Sequence, residues 1–270
     1  MAEPPWPVVP GSHVDLGKLD PADTRPFADK EAAAERTAAD LLRLRELQER
    51  LHVDGSRAVL LVLQGMDTSG KDGTVKHLSG GLSLLGSRLA AFSAPTPQEL
   101  RHDFLWRIHR QAPPHGCIGV FNRSHYEDVL VARVHKLVPE AVWKARYAQI
   151  NAFEELLASS GTALIKCYLH ISKDEQKQRL EARLDEPDKR WKFDPGDLAD
   201  RDRWHEYREA YEEALARCSS EHAPWYVVPA DHKWYRNYAV TRLLVETLER
   251  LPLHTPQPEF DPHDMKRALR

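Results

Sequence analysis

Residues 63–77 read LQGMDTSGKDGTVKH and follow directly on the apolar run Ala58-Val59-Leu60-Leu61-Val62-Leu63. Gly65, Gly70 and Lys71 have the spacing Gly-x4-Gly-Lys. Between a hydrophobic strand and a helix, such glycines let backbone N–H groups turn toward phosphate oxygens. The lysine then reaches the outer phosphates, and the helix N-terminus adds its positive dipole. Gly65, Thr68, Ser69, Gly70, Asp72, Gly73 and Thr74 are therefore the candidate phosphate-binding set around Lys71. One departure stands out: Asp72 occupies the position where a magnesium-binding Ser or Thr belongs, and a second acid, Asp67, lies inside the loop. The missing hydroxyl argues against an orthodox nucleotide triphosphatase.

Working outward, the strand 57–64 is preceded by leucines at 41, 44, 47 and 51, one stripe of a helix over 30–52. Further strands are expected at 88–93, 116–121, 162–171 and 225–230. Helices are expected at 96–114, opened by Thr96-Pro97 and closed by Pro113-Pro114, and at 124–135, 139–159, 173–185, 200–217 and 234–250. Alternation of strands and helices predicts an α/β protein, a mostly parallel sheet with helices on both faces. The expected organisation is an extended N-terminal arm (1–29), one domain (30–255) with a charged helical appendage at 173–217, and a C-terminal tail (256–270).

The 270-residue chain is 41% hydrophobic and 29% charged, enough to bury a sizeable core. No apolar stretch approaches the ~20 residues of a membrane helix, and the proline-rich N-terminus lacks the apolar segment of a signal peptide. Cys117, Cys167 and Cys218 form neither a disulfide framework nor a CxxC motif, which points to a reducing, cytoplasmic setting. A net charge of −3 and the absence of recognition motifs speak against nucleic acid as a partner. Yet nine Lys/Arg face five acids between Lys71 and Lys136. Solvated helix faces explain most such charges, whereas a basic half lining one cleft suits a polyanion.

Two further stretches carry chemistry. In VFNRSHYEDVLVARVH (120–135), Ser124 and Glu127 fit a capping box. That leaves Arg123, at a strand's C-terminal end where open α/β sheets bind ligands, able to grip phosphate bidentately. Asp128 is either a favourable charge in the first helical turn or a Mg²⁺ ligand beside the glycine loop. In KQRLEARLDEPDKRWKFDPGDL (177–198), Arg179 and Arg183 share a helical face, and Lys189, Arg190 and Lys192 follow in a turn with Trp191 and Phe193. A solvated hairpin accounts for the charges; the aromatics fit a base-stacking surface or a flap that closes over a reaction.

Together with HDFLWRIHRQ and WYVVPADHKWYRNYAV, these stretches resemble the polyphosphate kinase 2 family, in order from about residue 30 to 250, and are most similar to its class III branch. The resemblance implies a P-loop kinase fold with a helical lid, and Mg²⁺-dependent, reversible transfer of a terminal phosphoryl group from inorganic polyphosphate to a nucleoside mono- or diphosphate. It places Asp67, Lys71, Asp72, Arg123, Glu127 and Asp128 at active-site positions, with Asp67 and Asp128 as metal ligands and Arg183 as the lid arginine. Arg179 and Arg190 are expected to bind phosphate or nucleotide, while Lys76, His77, Arg88, Arg133 and Lys136 are candidates for a polyphosphate channel. A homo-oligomer, dimer or tetramer, is also implied. The rival readings are an ATP-dependent nucleoside monophosphate kinase of thymidylate-kinase type and a non-catalytic nucleotide- or polyphosphate-binding protein.

Overall fold

A computed structural model describes residues 3–254 and 260–269. In chain order the elements are β1 (Trp6–Pro7), α1 (Lys30–Asp54), β2 (Ala58–Gln64), α2 (Lys71–Leu78), β3 (Ser87–Ala91), α3 (Trp106–His109), β4 (Ile118–Asn122) and α4 (Val131–Val134). Then follow α5 (Glu140–Ser159), β5 (Thr162–His170), α6 (Lys173–Asp185), α7 (Gly196–Asp202), α8 (Trp204–Cys218), β6 (Trp225–Pro229), α9 (Lys233–Arg250) and α10 (Pro262–Ala268). Of the expected C-terminal tail, positions 256–259 and 270 lie outside the described residues.

The strands form one six-stranded sheet in the order β1-β6-β5-β2-β4-β3, with β2 to β6 parallel and only β1 antiparallel. Every residue of β2 is buried, because helices cover both faces. Leu60 and Val62 join the core on one face with residues of α5 and α8, while Val59, Leu61 and Leu63 join the other with residues of α1 and α9. The first parallel strand thus lies centrally, and its C-terminal end opens beside β4 on one side and β5 on the other, the place where such sheets bind ligands.

Three expectations need correction. The N-terminal arm is not merely extended: Trp6 and Pro7 pair with Val227 and Tyr226, and Val8, Val14 and Leu16 are buried. The helix expected over 96–114 is broken. Thr96 and Glu99 form a reciprocal cap, Glu99 Oε2 accepting from Thr96 N at 2.7 Å and Thr96 Oγ1 from Glu99 N at 3.2 Å. The chain then extends at His102 and restarts when Asp103 Oδ1 accepts from Leu105 N at 3.0 Å. The helix expected over 124–135 is likewise a 3₁₀ turn, His125–Asp128, followed by the short α4. The charged appendage also divides unevenly. No residue from 181 to 206 is buried, whereas α8 sinks Tyr207, Tyr211 and Leu215 into the core.

Candidate active site

The glycine loop between β2 and α2 is shaped by backbone that few residues tolerate. Gly65 (φ 155°) and Gly70 (φ 105°) are joined by Thr68, a non-glycine residue at φ 62°. A side chain on Gly65 would lie 2.8 Å from the Leu169 carbonyl, so only glycine fits there. Arg123 also sits at φ 62°, strain of the kind that a functional site retains.

The loop faces a cleft of about 690 Å³, walled on the other side by α6, α7 and the turn between them. Asp67, Thr68, Gly70, Lys71, Asp72, Gly73, Arg123, Arg179 and Arg183 all line it. Lys71 is folded back on its own loop, donating to the carbonyls of Gly65 at 2.7 Å and Met66 at 3.2 Å. Burial, followed by the charge of Arg123, pulls its pKa down to about 8. Arg123 Nη2 donates to Asp67 Oδ1 at 2.9 Å and Nη1 to Glu127 Oε2 at 3.2 Å. Burial works against its charge, but Glu127 and Asp67 outweigh that and hold its pKa above the ordinary arginine value.

Ser124 Oγ accepts from Tyr126 N at 3.2 Å, so Ser124 does cap the turn. Glu127 does not complete a capping box; its carboxylate is spent on Arg123. Asp128 departs from expectation. It does not line the cleft: its Oδ1 accepts from Arg146 Nη1 at 3.1 Å and its carbonyl oxygen accepts from the same nitrogen at 2.9 Å. Burial raises its pKa, with Arg146 opposing. The acids that do share the cleft with Asp67 are Asp72, whose Oδ1 accepts from Asn122 Nδ2 at 2.7 Å, Asp197 of α7, and Glu175, Glu186 and Asp194.

The three arginines of the stretch 177–198 separate. Arg183 Nη1 donates to Asp197 Oδ2 at 3.1 Å and to the Lys192 carbonyl at 3.0 Å, inside the cleft. Arg179 lines the cleft, but its guanidinium is occupied: it donates to Glu175, to the loop carbonyls of Thr68 and Ser69, and to the carbonyls of Ala230 and Asp231 beyond β6. It clamps the loop to the segment that follows β6, two strands away from β2. Arg190 donates to the Leu184 carbonyl and stays outside the cleft.

None of the five channel candidates lines this cleft. Lys76 is exposed, His77 is half-buried with a pKa lowered by burial and by Arg236, and Arg88 donates to the Arg110 carbonyl. Arg133 donates to Glu213 at 2.6 Å and stacks over Trp143, beside Lys136 in a separate surface groove. The cations added to the cleft are instead Lys189, Lys192 and Lys233. Trp191 is 79% exposed, with Lys192 over its ring.

Beneath the Arg123–Asp128 turn lies a buried polar group that sequence reasoning missed. Lys166 Nζ donates to Tyr126 Oη at 2.9 Å, to the Cys218 carbonyl at 2.6 Å and to Glu154. Glu154 Oε1 also meets Tyr126 Oη at 2.9 Å and His125 Nε2 at 3.1 Å. Burial disfavours the Glu154 carboxylate, but Lys166 and His125 outweigh it and lower its pKa. A lysine inside the apolar run TALIKCYLHI was the available signal.

A glycine loop at the head of the central parallel strand, a lysine opening the next helix, and a charged helical flap across the cleft define a P-loop kinase-like protein. The chain belongs to the polyphosphate kinase 2 family, whose profile matches residues 27–255. It is 53% identical over 253 residues to an AMP/ADP-polyphosphate phosphotransferase from Meiothermus ruber, covering 93% of this chain and 95% of that one. An ADP-polyphosphate phosphotransferase from Rhodopseudomonas palustris is 44% identical over 260 residues, covering 92% and 90%. The crystal structure of polyphosphate kinase 2 from Arthrobacter aurescens TC1 superposes with a TM-score of 0.92 at 44% identity, covering 99% of each chain.

Proposed function

We propose that this chain is a polyphosphate:nucleotide phosphotransferase, moving the terminal phosphoryl group of inorganic polyphosphate reversibly onto a nucleoside mono- or diphosphate. The observation that carries this is the convergence of Lys71, Arg123 and Arg183 on one cleft in a polyphosphate kinase 2 chain. The relatives named for AMP/ADP and ADP transfer support both acceptor classes.

Phosphoryl transfer asks the protein mainly for positioning and charge stabilisation. Lys71, now satisfied by two loop carbonyls, exchanges them for phosphoryl oxygens. Arg123 is held by Asp67 and Glu127 so that its guanidinium faces the same cleft. Arg183 reaches the transferred group from the lid when Asp197 gives way. A nucleotide phosphate is sufficiently ionised to attack without a strong base.

Mg²⁺ binds through one or two carboxylates with water and substrate phosphates completing its shell. Asp67 and Asp72, both lining the cleft, fit that donor set; Asp128, bound to Arg146, fits it less well. Among the described residues no group of three or more His, Cys, Asp or Glu forms a self-sufficient metal site, which suits an ion brought with phosphates. The ion would neutralise charge between acceptor and donor phosphates.

All three cysteines are free thiols and no helix among the described residues is long and apolar enough to cross a membrane, which supports a cytoplasmic enzyme. A dimer or tetramer is proposed from the family resemblance and is checked by light scattering. The deciding experiment is to supply AMP or ADP with polyphosphate and Mg²⁺, without ATP, and follow phosphorylated product. Product with ATP as donor but not with polyphosphate would replace this reading by the monophosphate-kinase one.

A further inference from the structure

The stretch WYVVPADHKWYRNYAV contributes a residue that the mechanism above does not use. Arg236, in the first turn of α9, is 3% exposed and lies directly beneath the glycine loop. A Cβ on Gly70 would fall 1.7 Å from its Nη1, and one on Gly73 would fall 3.0 Å from its Nη2. The two glycines thus make room for a guanidinium rather than only for a ligand. Its Nη1 donates to the Ser69 carbonyl at 3.4 Å, and Nε and Nη2 donate to Asn237 Oδ1 at 3.3 and 2.8 Å.

No carboxylate appears among these partners, and among the described residues no acid forms an ion pair with Arg236. Its charged neighbour is another cation, Arg179. Burial, then Arg179, pulls its pKa down to about 10, so it remains ionised at neutral pH. A buried charge without a counter-charge is costly, and folds normally supply a partner. Here the fold supplies two neutral oxygens and places the group against the N-terminus of α2, where anions are favoured.

We propose that Arg236 is a positioning residue for phosphoryl transfer, buried under Gly70 and Gly73 with the bound phosphate chain itself as its counter-charge. Through the Ser69 carbonyl it holds the loop's shape, and its uncompensated charge draws the anion onto the loop from below. Unlike Lys71 and Arg123, it does not touch the ligand. The role rests on the phosphate-binding reading of the loop.

The test uses the full-length protein, inorganic tripolyphosphate as the probe, and the variants Arg236→Gln and Arg236→Lys. Thermal melts are recorded with and without tripolyphosphate, beside steady-state KM and kcat for polyphosphate. Removing an unpaired buried charge should leave Arg236→Gln at least as stable as the parent without anion. Its tripolyphosphate-induced rise in Tm should shrink, and KM should increase by about tenfold or more, about 1.4 kcal/mol, with a smaller change in kcat. Arg236→Lys keeps the charge and should keep most of the rise. An undiminished rise in Arg236→Gln, or a stability loss without anion and an unchanged KM, assigns the residue to packing and overturns the proposal. If Arg236→Gln does not fold, a folded Arg236→Lys that has lost the rise overturns it as well. If the parent shows no rise at all, the phosphate-binding reading falls, and this role falls with it.

Discussion

Asp197→Asn should make the protein more stable at neutral pH, although it removes one half of an ion pair. Asp197 Oδ2 accepts from Arg183 Nη1 at 3.1 Å, and its side chain is 14% exposed. Burial, then the nearby Asp67, raises its pKa from 3.8 to about 6, even with Arg183 opposing. Ionised Asp197 therefore costs the native state free energy net of its salt bridge. At about 1.4 kcal/mol per unit, the shift has an upper bound of about 3 kcal/mol. The cleft is open to water, and screening reduces this to about 1–1.5 kcal/mol. The sign follows from the raised value. The cost is absent well below 3.8, develops as pH rises toward 6, and is complete above it. Asparagine keeps an oxygen for Arg183 without the charge. Thermal melts should show a gain of about 2–5 °C at pH 7.5, falling by about half at pH 5. A variant less stable than the parent at pH 7.5, or a gain independent of pH, would refute the reasoning.

Three other outcomes follow from the site. Tripolyphosphate affinity, measured by calorimetry, should fall as pH rises through about 8, because Lys71 loses there the proton that a bound anion would retain; unchanged affinity at pH 9 would remove Lys71 from the phosphate site. Arg179→Ala strips the loop carbonyls and the β6 end of their shared donor and should cost about 3 kcal/mol or more in urea unfolding; a loss below about 0.5 kcal/mol would show that the clamp is dispensable. Lys166→Met should destabilise by about 3–5 kcal/mol by stranding Glu154, and adding Glu154→Gln should recover much of that loss. Strictly additive losses would argue that the two do not form a coupled pair.

The parts of the fold that were legible in the sequence are those written in local pattern. The leucine stripe foretold α1, and an apolar run meeting Gly65-x4-Gly70-Lys71 foretold β2, its loop and α2. The broken helices were not legible, because single side chains end them: Asp103 restarts the backbone after His102, and Ser124 caps a 3₁₀ turn instead of opening a long helix. At the candidate site, Arg123 and Arg183 line the same cleft as the glycine loop. Asp128 does not, because Arg146, eighteen residues on, claims its carboxylate. The channel candidates were chosen by charge within one segment, whereas the cleft draws Lys189, Lys192 and Lys233 from two other segments. Asp197 and Arg236 were invisible for the same reason: their meaning depends on residues more than a hundred positions away, Asp67 and Ser69.

The stretch 181–206, which shares no buried side chain with the core, has an evolutionary corollary. Apart from Trp204, which packs against the core, substitutions there escape most of the packing penalty that constrains a protein interior. Arg179, by contrast, ties the glycine loop to the end of β6 through four backbone carbonyls, so changes around it reach the loop at once. A lineage carrying this fold can therefore vary the solvent-facing positions of the flap, Arg183 and Asp197 aside, more freely than the residues that anchor the glycine loop.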